Sequence, residues 1–134
     1  MSGVLVDSNV LLDLFTEDPV WAGWSGAALE RVGETSTLVI NPIIYAEVSV
    51  RFPTIEEVDE ALSGSFFRRE PLSWAAAFLA GKSFARYRRN GGAKRSPLPD
   101  FLIGAHAAVM DYEILTRDAA RYRTYFPTVQ LIAP

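Results

Sequence analysis

The chain has 134 residues, 49% hydrophobic and 22% charged, an ordinary globular composition with length enough for one core without covalent staples. It has no cysteine, one histidine and a formal net charge of −3. Disulfides, thiolate chemistry and multi-histidine metal sites are thereby excluded, and nucleic-acid binding by bulk charge is disfavoured, though a local basic patch is not. No apolar run approaches the roughly 20 residues of a membrane span. The opening segment has no basic lead and is interrupted by Asp7 and Asp13, so it does not read as a secretory signal. The expectation is a single domain over residues 1–134, cytoplasmic, with no membrane association.

Val4-Leu5-Val6 reads as a short buried strand of a parallel sheet, with Asp7 at its carboxyl end. In open α/β sheets that edge is where ligands bind. Ser8-Asn9 is cap chemistry and opens a first helix to about Thr16. Asp18-Pro19 predicts a second helix over about 19–32, with Trp21, Trp24, Ala28 and Val32 on its apolar side. Thr37 to Ile40 is a second strand, and Asn41-Pro42 opens a third helix to about Arg51. Thr54 and Glu57 are spaced as a capping box for a fourth. Ser65 to Leu72 reads as a short strand or extended segment. Ser73 caps a long helix from Trp74 to about Asn90, stopped by Gly91-Gly92, and a loop follows to Pro99. A helix from Pro99 to Met110, a strand from Glu113 to Thr116, a short helix from Asp118 and a strand from Val129 to Ile132 complete the order. Short strands alternating with longer helices predict an α/β fold with a parallel sheet.

Four carboxylates fall at element boundaries or on apolar faces. Asp7 ends the first strand, where capping the next helix is its plain explanation. At about 100° per residue with Ile43 at zero, Val50 falls near 340°, Glu47 near 40° and Ile44 near 100°. Glu47 thus lies inside the apolar stripe, where a carboxylate must be paired, protonated or bound to a cation. An ion pair with Arg51, four residues on, is the alternative. Asp100 occupies a helix first turn, where the helix dipole favours it. It shares a face with Gly104 and Ala107, small enough for another backbone to approach. Asp118 repeats the setting of Asp7, a strand end with a nearby hydroxyl residue and a helix start. A parallel sheet brings all four toward one edge. Clustered carboxylates repel unless a cation intervenes, and hard divalent cations take oxygen ligands. The chemistry that this set fits is metal-assisted phosphodiester hydrolysis. Asp13, Glu17 and Asp18 read as solvated helix residues, Asp111 and Glu113 as exposed turn residues, and His106 as a satisfied, partly buried imidazole.

Between Pro71 and Pro99 there is no acid, and six of the 13 basic residues lie there: Lys82, Arg86, Arg88, Arg89, Lys94 and Arg95. Helical spacing puts Lys82, Arg86 and Arg89 in one stripe, beside an expected buried arc of Trp74, Ala77, Phe78, Gly81, Phe84 and Ala85. With Lys94 and Arg95 just before Asp100, the stripe reads as a phosphate-tracking path to the acidic site or a dock for an acidic partner protein, against the plain reading of a solvated basic face.

In order along the chain, Val6-Asp7-Ser8-Asn9-Val10-Leu11-Leu12, Tyr45-Ala46-Glu47-Val48, Pro99-Asp100-Phe101-Leu102-Ile103-Gly104-Ala105-His106-Ala107, Leu115-Thr116-Arg117-Asp118 and Tyr125-Phe126-Pro127 resemble the PIN-domain nucleases. The closest likeness is to the VapC-type toxins of bacterial toxin–antitoxin pairs. The resemblance implies a three-layer α/β/α sandwich with a central parallel sheet. It implies a magnesium- or manganese-dependent endoribonuclease in which a metal-bound water attacks the phosphodiester. Asp7, Glu47, Asp100 and Asp118 map onto the family's acidic quartet, with Asp7 and Asp100 the firmest metal ligands and Ser8 and Thr116 in supporting hydrogen-bonding roles. It further implies a cognate antitoxin occupying the site and a homodimer. Two other readings compete. One is a catalytically silent PIN module that binds RNA or protein. The other is a phosphatase of the haloacid dehalogenase kind, which needs a second Asp where Asn9 stands. The stretch from Thr54 to Leu72 matches no motif.

Overall fold

The computed structural model of the chain describes residues 3–92 and 98–134. Lys94 and Arg95 of the basic strip lie outside them. Twelve elements follow in order: β1 (Gly3–Val6), α1 (Ser8–Phe15), α2 (Ala22–Thr35), β2 (Thr37–Ile40), α3 (Pro42–Ser49), α4 (Ile55–Ala61), β3 (Phe67–Arg69), α5 (Trp74–Arg89), α6 (Leu98–Met110), β4 (Glu113–Leu115), α7 (Ala120–Tyr125) and β5 (Leu131–Ile132). The five strands form one sheet in the order β3-β2-β1-β4-β5, and every pairing is parallel. Right-handed crossovers then place α1–α4 over one face and α5–α7 over the other, giving three layers. β3 is the strand that the segment 65–72 left open, and it raises the number of strands from the four foreseen to five.

The strand order reverses between β1 and β4, since the chain winds outward to β3 and returns to the other side of β1. That reversal is the switch point at which open α/β sheets take ligands, outside the strands' carboxyl ends. Val6 pairs with Leu115, and the Asp7 N–H donates to the Leu115 carbonyl at 2.9 Å. Asp7 and Thr116 therefore leave their strands side by side. The β1 and β4 side chains Val4, Leu5, Val6, Ile114 and Leu115 are buried, as expected of strands covered on both faces.

Several expected faces are turned. α2 starts at Ala22, not Pro19, because Asp18 accepts from the Val20 and Trp21 N–H groups and closes a turn before the helix. On α3 the buried residues are Ile44 and Val48, while Val50 is 83% exposed, so the expected stripe was centred about a quarter-turn off. On α5 Trp74 and Phe78 are 91% and 68% exposed, and the buried residues are Ala76 and Ala80. Size misled there. The helix meets α6 through its small side, with Leu79, Phe84 and Tyr87 at the margins, and turns its two large aromatics outward. Lys82, Arg86 and Arg89 are exposed as expected.

α6 is held on both sides. Phe84 and Tyr87 of α5 and Tyr125 and Phe126 beyond it surround Phe101, with ring centroids 5.3–6.0 Å apart. The small face of α6 admits a ring rather than a backbone: a Cβ on Gly104 would come within 2.4 Å of the Phe126 side chain. This contact docks the end of α7 on α6 and so sets where the α7 side chains Arg121 and Tyr122 point.

Candidate metal centre at the carboxyl edge

Asp7 is the innermost acid, 3% exposed. It stands at the N-cap position of α1 but makes no side-chain cap bond, which removes the plain explanation for it. Its Oδ2 accepts instead from Tyr122 Oη at 2.8 Å, Thr116 Oγ1 at 2.9 Å and Asn9 Nδ2 at 3.4 Å. Each donor reaches it for a local reason. Thr116 follows β4 on the neighbouring strand, Asn9 is in the first turn of α1, and Tyr122 faces inward from α7. Oδ1 has only a long contact with Ser8 Oγ, at 3.5 Å. Burial pushes the Asp7 carboxyl up to about 6, with repulsion from Asp100 and Glu47 adding and the Tyr122 and Thr116 hydroxyls opposing.

Glu47 reaches the same edge from α3. Ser8 Oγ donates to its Oε1 at 2.8 Å, and no ion pair joins it to Arg51 among the described residues. Burial raises its carboxyl, the Ser8 bond lowers it, and Asp100 raises it further. Asp100, in the first turn of α6, has Oδ2 paired to Arg121 Nη1. Burial raises its carboxyl, Arg121 opposes, and Asp118 adds repulsion. Asp118 is exposed and does not cap α7, whose N-cap is Ala119. Its backbone N–H donates to Thr116 Oγ1 at 3.0 Å, so the residue closes a turn around the hydroxyl that supports Asp7.

Sequence reasoning missed four parts of this constellation. Arg121 and Tyr122 sit three and four residues past Asp118, on a helix whose inward face was not worked out. Asn9 stood out as a cap residue and as a missing Asp, yet its side chain bridges Asp7 and Thr116 and accepts from the Arg117 N–H at 3.3 Å. Asp13, expected at the surface, is 2% exposed. Both its oxygens accept from Arg117 Nε, at 3.0 and 2.9 Å, and Ser25 Oγ donates to it at 2.7 Å. Arg117, stacked 5.6 Å from the Trp21 ring centroid, thus ties the loop after β4 to α1 and α2.

The donor set is all oxygen, and Asp7, Glu47 and Asp100 each keep one carboxylate oxygen off a strong donor. Among the described residues no three acids converge on one point, since Arg121 draws Asp100 aside and Ser8 holds Glu47. Two carboxylates with the remaining sites left to water and phosphate are nonetheless what magnesium typically takes, so the residues fit that class of ion.

The PIN domain family model matches residues 4–127. The chain belongs to the PIN domain family. Solved structures agree on the fold. A VapBC2 complex from Rickettsia felis bound to promoter DNA superposes with a TM-score of 0.74 at 18% identity, covering 98% of each chain. VapBC-1 from nontypeable Haemophilus influenzae gives 0.73 at 18% identity, over 98% of this chain and 97% of that one. A toxin–antitoxin complex from Klebsiella pneumoniae gives 0.66 at 24% identity, over 89% of each. No curated protein matched the sequence. The PIN fold accounts for the switch-point placement of the acids.

Proposed function

We propose that this PIN domain is a metal-dependent endoribonuclease acting as the toxin of a toxin–antitoxin pair. The observation that carries the reading is the buried carboxylate at the switch point: Asp7 has Glu47 and Asp100 as repelling neighbours and hydroxyl groups, not a cation, as its partners. Asp7 and Asp100 would hold magnesium or manganese, with Glu47 and Asp118 completing the acidic rim. A bound cation would supply Lewis-acid activation of water and would neutralise charge on the phosphate. The chain's own residues do the rest. Tyr122, Thr116 and Asn9 orient Asp7 Oδ2, and Ser8 orients Glu47. Arg121 is a cation at the rim, and among the described residues its Nε has no hydrogen-bond partner, so it can turn toward a substrate phosphate when Asp100 takes the metal. Lys82, Arg86 and Arg89 offer phosphate contacts along α5.

The complexes named among the structural neighbours support an antitoxin partner for this chain as well. A homodimer belongs to the same reading, and the exposed Trp74 and Phe78 provide apolar surface for a protein contact. The Arg121–Asp100 ion pair is the one observation that favours the second reading, a silent PIN module. RNA cleavage by wild type and by folded Asp7→Asn and Asp100→Asn proteins in magnesium or manganese decides between them. The expected result is at least a 100-fold loss of rate in each variant, on the order of what one preorganised electrostatic group contributes. Equal cleavage by all three proteins would mean a contaminant and a wrong site. No cleavage by wild type with any metal would leave the silent module.

A further inference from the structure

His106 is the chain's one histidine and is 1% exposed, on the inward side of α6. Its ring touches two buried or half-buried polar groups on different elements. Nδ1 lies 2.9 Å from Asn41 Nδ2, and Nε2 lies 3.2 Å from Glu70 Oε2. Asn41 is the N-cap of α3, and its Oδ1 accepts from the Ile44 N–H at 2.9 Å. That bond fixes which end of the amide faces the imidazole. With Oδ1 committed to the helix start, the Nδ2 group must donate, and Nδ1 must present a lone pair. The proton then sits on Nε2 and points at the Glu70 carboxylate. Two contacts made on opposite sides of the ring demand the same neutral tautomer.

Glu70, just past β3, is itself fixed from outside. Arg68 and the Tyr112 hydroxyl both donate to its Oε1, and Arg68 also donates to Tyr112 Oη at 2.6 Å. These are the charged and titratable groups that face the imidazole, together with the Tyr112 ring, whose centroid is 6.0 Å away. Burial lowers the basicity of His106 and Glu70 opposes that, with a net reduction that favours the neutral form.

We propose that His106 is a positioning residue: it accepts from Asn41 at Nδ1, donates to Glu70 at Nε2, and so locks the start of α3 to α6. These are the helices that carry Glu47 and Asp100. Neither acid touches His106, so it acts through the register of the two helices. Protonating Nδ1 would set an N–H against the Asn41 amide. Asn41 could answer only by turning, which takes its Oδ1 off the Ile44 N–H and frees the first turn of α3. The inference concerns how the acids are held and rests on the nuclease reading only for its consequence in metal binding.

Two near-isosteric variants separate the arms of the relay. In His106→Asn the new Oδ1 stands where Nδ1 stood and keeps the Asn41 bond. In His106→Gln the new amide nitrogen stands where Nε2 stood and keeps the Glu70 bond. The measurements are the imidazole nitrogen shifts of the wild type, hydrogen exchange at the Ile44 amide, and Mn2+ affinity by water-proton relaxation. The wild type should show a protonated Nε2 and an unprotonated Nδ1 at pH 7.5. His106→Asn should keep Ile44 protection and Mn2+ affinity within about two-fold, whereas His106→Gln should lose about ten-fold in both, as for other groups that orient metal ligands from outside. A protonated Nδ1 in the wild type overturns the proposal whether or not either variant folds. Equal losses in the two variants also overturn it, because a merely structural histidine does not distinguish its two nitrogens. If the wild type binds no Mn2+, the nuclease reading fails, and Ile44 exchange still decides the positioning role.

Discussion

Asp7 begins near 3.8 in the unfolded chain and rises to about 6 in the fold. Between those values the native state binds more protons than the unfolded one, so stability is lost as pH rises through that window. A shift of about two units corresponds to roughly 3 kcal/mol as an upper figure. Asp7→Asn, whose amide oxygen can still accept from Tyr122 and Thr116, should therefore stabilise the metal-free protein by about 1–3 kcal/mol at pH 8 and by little at pH 4. Urea unfolding at the two pH values measures this, and a destabilised variant at pH 8 contradicts it. Asp7 and Glu47 stand out in the sequence because each breaks a local pattern, a charge ending an apolar strand and a charge on an apolar stripe, whereas Asp100 and Asp118 sit at helix starts where a carboxylate is ordinary. Tyr122 and Asn9 break none. An aromatic on a short helix and an Asn after a strand are unremarkable until the parallel register of β1 and β4 brings them together. Asp13 was misread for the same reason, since Arg117 lies 104 residues away in sequence.

At the scale of elements, the junction of α6 with α7 is a tight fit. A Cβ on Gly104 would fall 2.4 Å from the Phe126 ring, and the ring is 3% exposed with little room to retreat. Gly104→Ala should cost about 1–3 kcal/mol by overpacking, against the slight gain that alanine brings to an exposed helix. Chemical denaturation checks the sign. Because α7 also carries Arg121 and Tyr122, the variant should lose metal affinity along with stability. Helix existence was readable throughout from caps and prolines: Asn41, Thr54 and Ser73 each accept from a first-turn N–H as their spacing implied. Helix faces were not. On α5 hydrophobic size pointed to Trp74 and Phe78 as the inner side, but which side is buried depends on what α6 offers, and α6 offers a surface that takes Ala76 and Ala80.

For the molecule as a whole, alternation of strands and helices sufficed to predict a parallel sheet, and the ordered motifs sufficed for the family. The position of β3 was not readable, because a three-residue edge strand carries too little periodicity to separate from a loop. Hydroxyl and amide donors, not a cation, hold Asp7 beside the repelling Glu47 and Asp100, which makes the cluster a reserve of stability for any cation that enters. Magnesium at about 100 times its dissociation constant should stabilise the protein by about 2.7 kcal/mol at pH 7.5. The gain should shrink at pH 5, where protons compete for Asp7. Thermal melts at matched ionic strength report it, and a gain equal at both pH values would place the cation elsewhere.

The bonds from Thr116 and Tyr122 to Asp7 join positions 109 and 115 residues apart. A ribosome making this chain releases Asp7 115 residues before Tyr122, so over that interval the nascent chain has an acid without its supports. The centre is thereby delayed until α7 has emerged. Under the proposed nuclease function, the topology itself would postpone activity until α7 is made. Ribosome-bound chains arrested before and after α7 clears the exit tunnel, compared for Mn2+ binding, should differ as absent from present.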